Sequence, residues 1–211
     1  MKRKQTENGF YYPNKMGRIV LLSLEEIIGP NAVKAVLNQA GLTHYVSKYP
    51  SNKMKKQFGF DELSQIQVAL EQLFGPRGGR GVALRSGRVC FKYGLREFGP
   101  TLGFTDLAFR LAPLDTKLQA GAGIFADIFN QFTDQKVRVE TTTDHIMWHI
   151  DRCPVCWNRH SDTPVCHLAV GILQESLYWV SGGKVFNVEE TSCIAKGDPT
   201  CSILIDKQAL G

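Results

Sequence analysis

Hydrophobic positions in the first half of the chain recur at three- and four-residue steps. Between Leu21 and Leu42 they fall at Leu24, Ile27, Ile28, Val33, Val36, Leu37 and Ala40, the spacing that lines one face of a helix. Gly29-Pro30 predicts a break inside this helix, and Gly41 a stop. His44 to Phe60 reads as a polar connector. Asp61 then caps a second helix with Leu63, Ile66, Ala69, Leu70 and Leu73 on one face, and the glycine-rich run Gly75–Gly81 is expected to end it. A third helix is predicted from about Val82 to Phe98. The clearest is Leu114–Phe132, whose stripe is Leu114, Leu118, Gly121, Phe125, Ile128 and Phe132.

After Thr133 the period changes. Lys136–Thr142 and Ile146–Ile150 alternate with period two, which predicts two strands around Thr143-Asp144. Val165–Val180 returns to helical spacing. Lys184–Val188, Thr191–Ala195 and Cys201–Ile205 read as strands, the last two joined across Gly197-Asp198-Pro199. Helices come first and the strands lie close together in sequence. This pattern predicts an α+β fold, an antiparallel sheet covered by helices. Residues 1–18 read as an N-terminal arm that docks through Phe10, Tyr11 and Tyr12, and residues 19–211 as a single α+β domain.

The composition, 43% hydrophobic and 21% charged over 211 residues, suits one ordinary core. The net charge of +5 is mild; solubility accounts for it, so it does not single out nucleic acid as a partner. No run of 18 apolar residues exists, so no membrane span is predicted, and the basic start lacks the apolar stretch of a secretory signal. A cytoplasmic, reducing location is the expectation. There, six cysteines read as ligands or core residues and not as disulfides.

The cysteines sharpen the picture, because Cys153, Cys156, Cys166, Cys193 and Cys201 all fall in the last 60 residues. If Thr191–Ala195 and Cys201–Ile205 form a hairpin, Cys193 and Cys201 lie on neighbouring positions, Glu190 stands beside them, and Cys166 comes from the first turn of the preceding helix. Three thiolates and a carboxylate make a closed tetrahedral set, which points to structural zinc held by Cys166, Glu190, Cys193 and Cys201. An iron–sulfur cluster is the alternative metal, and plain burial is the bland reading. Cys153-Pro-Val-Cys156 is less specific. It is a second half-site with His149 or His160, a redox pair, a set of further ligands drawing Cys166 into a cluster, or two reduced thiols.

Aromatic residues are dense from Phe91 to Phe132. Phe104, Phe125 and Phe129 are candidates to line an apolar cavity against Trp148, although a packed core explains them equally simply. Arg85, Arg88, Lys92 and Arg96 share one helix face. They form a solvated surface or, through Arg88 and Lys92, a site for a ligand's carboxylate. No Ser-His-Asp set, paired carboxylates, nicotinamide fingerprint or flavin fingerprint is present, and no catalytic residue is assigned.

The stretch Cys153-Pro-Val-Cys156, Cys166, and Val188-Glu-Glu-Thr-Ser-Cys193-Ile-Ala-Lys-Gly197-Asp-Pro-Thr-Cys201 resembles the 4-vinyl-reductase (hydrocarbon-binding) domain family over residues 150–206. The Glu190-x-x-Cys193-x7-Cys201 spacing is similar to the zinc motif of sensor domains in aromatic-responsive transcription activators, with Cys166 at the matching fourth position. The resemblance implies a fold like that of nitric-oxide-sensing haem domains and TRAPP transport-particle subunits. It further implies a homodimer and a buried pocket for a hydrophobic ligand. On this basis the expected role is a sensor or carrier; the alternatives are a (bacterio)chlorophyll-precursor 4-vinyl reductase or its accessory factor, and a dimerising interaction module. The chain departs from the aromatic sensors in one respect: they use a histidine for the phenol hydroxyl, and none occurs here between His44 and His145.

Overall fold

The computed structural model describes residues 9–99 and 111–210. Strand β1 (Tyr11–Pro13) pairs antiparallel with β2 (Lys56–Gly59), placing Tyr12 opposite Phe58. Helix α1 (Asn14–Gln39) follows at once. It begins earlier than the hydrophobic repeat suggests, because polar Asn14, Lys15 and Arg18 dilute the pattern there. Asn14 is nevertheless buried and donates to Gln57 Oε1 at 3.0 Å, and Gly17 lies flat against the Phe58 ring. The predicted break is present at Gly29 (φ 78°, ψ 161°), and Pro30 opens the second segment, where its missing N–H costs nothing.

A short helix α2 (His44–Ser47) interrupts the polar connector. Helix α3 (Phe60–Phe98) departs from expectation, because the glycine-rich run does not end it. Only Gly75 (φ 72°, ψ 165°) leaves helical geometry; Pro76 restarts the helix and Arg77–Gly81 continue it. The reason is steric. The second segment folds close over the first, and a Cβ on Gly79 would stand 2.8 Å from the Glu71 backbone.

Helix α4 (Leu114–Phe132) leads into the four-stranded sheet, built from β3 (Lys136–Thr141), β4 (His145–Arg152), β5 (Phe186–Ser192) and β6 (Cys201–Ala209) in the order β3-β4-β6-β5, every pair antiparallel. Helix α5 (His167–Val180) connects β4 to β5. Period-two alternation sends Ile146, Trp148 and Ile150 of β4, with Cys201, Ile203 and Ile205 of β6, into the core beneath the helices. This is an α+β fold with an antiparallel sheet covered by helices.

Two glycines set the tightest helix crossing. A Cβ on Gly171 of α5 would lie 2.1 Å from the Leu84 carbonyl oxygen, and one on Gly87 of α3 would lie 2.3 Å from that of Leu168. No helix among the described residues is long and apolar enough to cross a membrane.

The C-terminal hairpin also differs from expectation. Residues 184–188 and 191–195 are not two strands; β5 runs unbroken to Ser192, and a 3₁₀ turn (Ile194–Lys196) follows. The turn wins because its polar groups are satisfied locally. The Cys193 N–H donates to Asp198 Oδ2 at 2.8 Å, the Cys193 carbonyl accepts from Lys196 N at 2.9 Å, and Gly197 takes up φ 96°.

Candidate metal centre and apolar cavity

Cys193 and Cys201 flank this turn and reach the same point beneath the sheet edge. The turn aims a backbone donor at the pair as well, with Ile194 N–H 3.3 Å from the Cys201 sulfur. Cys166 is the N-cap of α5, where the helix dipole and free N–H groups favour negative charge. Its sulfur lies 3.8 Å from that of Cys193 and 3.7 Å from that of Cys201, and Cys193 and Cys201 are 3.9 Å apart. Glu190, on β5, accepts the Cys166 N–H through Oε2 at 2.7 Å, while its Oε1 is buried and has no hydrogen-bond partner. The structure thus brings Cys166, Glu190, Cys193 and Cys201 together, with one ligand atom from each lying within 4.8 Å of the others.

The Cys153-Pro-Val-Cys156 knuckle joins the same cluster, and neither His149 nor His160 shares a metal-binding set with it among the described residues. Cys153 is 3.5 Å from Cys166, and Cys156 is 3.4 Å from Cys201. Three anchors fold the loop after β4 back to make this possible. Ser64 Oγ donates to the Trp157 carbonyl at 2.7 Å, Arg159 holds both carboxylate oxygens of Glu71 at 2.7 and 2.8 Å, and Ser161 N–H donates to the Ala195 carbonyl at 2.9 Å. All five sulfurs are buried.

Packed without a countercharge, these thiols share protons. Cys156 is pulled well below the usual thiol range, first by a hydrogen bond from Cys153 and then by the other thiols around it. Cys153 is pushed up by burial first, and Cys166 and Cys201 chiefly by the thiols beside them. Burial also raises Glu190, against the lowering effect of the Cys166 N–H. The cluster therefore gathers donors that ionise together only when a cation supplies the missing charge.

A cavity of about 110 Å³ lies between the helices and the sheet. Phe125 and Phe129 of α4 meet Trp148 of β4 there at ring-centroid distances of 5.6 and 6.2 Å. Leu168, Ala169, Ile172 and Leu173 of α5 close one side, and Met16, Ile19 and Val20 of α1 another. Phe125 and Trp148 also line a second hollow of about 30 Å³, so the two rings partition the space. The polar side chains in the main cavity's lining are Tyr12, whose hydroxyl donates to Gln135, and Cys90, whose buried thiol is pushed up to about 12. None is charged. Phe104 lies outside the described residues.

Arg88 and Lys92 are absent from this lining. Arg88 donates to Gln174 Oε1 at 2.8 Å and Lys92 pairs with Glu175 at 3.5 Å, both on the outer side of the α3–α5 contact. The basic stripe faces solvent because the glycine crossing turns the small-residue face of α3 inward. The wall residues that sequence reasoning missed, Tyr12, Ile19, Val20 and Cys90, are ordinary apolar positions of β1, α1 and α3. Only the docking aromatics of residues 10–12 hinted at them.

With this geometry in view, comparison with known proteins is informative. The model of the 4-vinyl-reductase domain family matches residues 146–207, from β4 through β6, the stretch that holds the five clustered cysteines. Among solved structures, the chain is similar to an H-NOX protein from S. oneidensis in its Fe(II)NO ligation state, with a TM-score of 0.60 and 14% identity over 92% of this chain and 99% of that one. It is likewise similar to an unliganded Fe(II) H-NOX protein from K. algicida, with a TM-score of 0.59 and 12% identity over 94% of this chain and 97% of that one. No curated protein sequence matches the chain. The structural likeness is one of fold.

Proposed function

We propose that the protein is a binding domain, sensor or carrier, for a small uncharged hydrophobic molecule seated between the helices and the sheet, with zinc bracing the sheet edge. The observation that carries this reading is the cavity. It draws its walls from both layers, and its described lining contains no charged side chain. The match to the 4-vinyl-reductase domain and an H-NOX-like fold fit such a role. An apolar cavity of roughly 150 Å³ accepts benzene, so a space of about 110 Å³ suits a ligand near the size of one small ring or a short hydrocarbon. Displacing Phe125 into the adjoining hollow would extend it.

The H-NOX relatives named above carry iron, and others of that fold are described by their haem. Haem does not fit here. The cavity is too small for a porphyrin, no histidine lines it, Cys90 keeps its proton, and no described lining residue offers a cation to a propionate. The same mismatch weighs against a tetrapyrrole substrate and hence against vinyl reduction.

The cysteine cluster does fit a metal. Thiolates around one zinc at ~2.3 Å stand ~3.8 Å apart, close to the 3.7–3.9 Å separations of Cys166, Cys193 and Cys201. The orphaned Oε1 of Glu190 supplies the fourth donor. An iron–sulfur cluster interposes sulfide between its irons and spreads its cysteines further apart, so zinc is the better match. A closed set of four protein ligands leaves no position for a reacting water, which makes the ion a brace. Association as a homodimer, and residence in a reducing compartment that keeps the thiols free, belong to the same proposal.

The binding claim is tested by calorimetric titration of benzene into wild type and Ala169→Phe, which fills the cavity from α5. Saturable binding in the wild type that disappears in the variant is expected. No binding to either protein, with no organic molecule released on denaturation, would leave an interaction module as the better reading.

A further inference from the structure

The single-zinc reading leaves Cys153 and Cys156 without work, although both are buried and in contact with its ligands. The geometry points to a second metal ion: the cluster is a binuclear thiolate centre in which Cys166 and Cys201 bridge two tetrahedral sites. This inference rests on the metal reading above and extends it.

The side chains fall into two sets, each with its ligand atoms within 4.8 Å of one another. One is Cys166, Glu190, Cys193 and Cys201; the other is Cys153, Cys156, Cys166 and Cys201. Each set has the four donors that a tetrahedral ion takes, and the two share the pair Cys166 and Cys201. Five cysteines and one glutamate therefore supply four ligands to each of two ions, because the two bridging sulfurs are counted in both. The bridging sulfurs are 3.7 Å apart, a tetrahedral edge common to both ions. From this edge Cys153 lies 3.5 Å from one bridge and Cys156 3.4 Å from the other, while Cys193 is 3.8 and 3.9 Å from the two. The knuckle thus stands at the shared edge as a second pair of terminal ligands.

Charge leads to the same count. Five thiolates and a carboxylate carry six negative charges. One divalent ion leaves four of them uncompensated in a buried site; two ions leave two, on a cluster that also receives the α5 N-terminus at Cys166 and the Ile194 N–H at Cys201. The anchors of the knuckle loop, Ser64 to Trp157 and Arg159 to Glu71, hold the second ligand pair in place from α3.

The test is metal stoichiometry with a probe of bridging. Purified protein is analysed for zinc, iron and sulfide, then exchanged with cadmium-113 for NMR. Two zinc ions per chain are expected, with two equally intense cadmium resonances split by coupling through the shared sulfurs. Cys153→Ser with Cys156→Ser should lower the content to one zinc per chain and leave one unsplit resonance. One zinc per wild-type chain would overturn the binuclear centre and leave the single-zinc brace standing. Two uncoupled resonances would place the second ion elsewhere and overturn it equally. A protein without zinc, or with iron and matching sulfide, would remove both readings. If the double variant does not fold, the wild-type count and coupling still decide.

Discussion

Cys90 and Cys201 are both buried thiols, yet the structure assigns them opposite fates. Cys201 stands at the meeting point of every metal-binding set described, and structural zinc contributes on the order of 10 kcal/mol to folding. Cys201→Ala should give insoluble or metal-free protein, read by zinc content after purification. Cys90 faces the cavity with a thiol that burial pushes from 9.0 up to about 12. It therefore holds its proton more tightly in the folded than in the unfolded chain. Its contribution to stability is complete below pH 9.0 and is lost as the pH rises toward 12, at up to ~1.4 kcal/mol per pH unit. Urea unfolding of wild type and Cys90→Ala at pH 7.5 and about 10 should show the wild type losing more stability than the variant; equal losses would remove the burial argument. The contrast between these cysteines was legible in the sequence, because Cys193 and Cys201 flank a turn and Cys90 stands alone. The place of Cys153 and Cys156 was not. Their spacing to Cys166 says nothing about whether the loop between folds back, and the anchors that fold it, Ser64 and Glu71, lie on α3, far away in the chain.

At the scale of elements, local chemistry predicted where helices break but not what happens around a break. Gly29-Pro30 and Gly75-Pro76 both read as interruptions, and both glycines take positive φ. The run after Gly75 looked like a loop because glycine has poor helix propensity. Tertiary contact overrides that propensity, since the same missing side chains let helical segments approach. Gly171 and Gly87 show the principle at the α3–α5 crossing. Gly171→Ala should destabilise the protein by ~3 kcal/mol or more, since the new methyl would meet backbone and not a movable side chain. Thermal unfolding measures it; Gly123→Ala, whose Cβ would meet nothing within 4 Å, is the control expected to be neutral or stabilising. The hairpin around Gly197 was misjudged for a related reason. Alternation alone cannot reveal that Asp198 will satisfy the Cys193 amide and end the strand early.

For the whole molecule, the α+β class and the order of elements followed from the change of period after Thr133. The direction of the basic stripe did not, because it depends on which face of α3 accepts α5. The crossing that settles this gives α5 two duties. Its first residues sit against the metal cluster, with Cys166 as N-cap, and the next turns, Leu168 to Leu173, form the cavity wall. A rigid helix that is party to both equilibria makes them one thermodynamic cycle. Whatever factor zinc contributes to the affinity for a cavity ligand, the ligand must return to the affinity for zinc. Benzene should therefore slow the loss of zinc to a chelator in wild type but not in Ala169→Phe, and its dissociation constant should rise in zinc-depleted protein by a matching factor. Equal benzene affinity with and without zinc would mean that α5 does not transmit between its ends. If the cycle closes, metal availability sets the threshold concentration at which the ligand is captured.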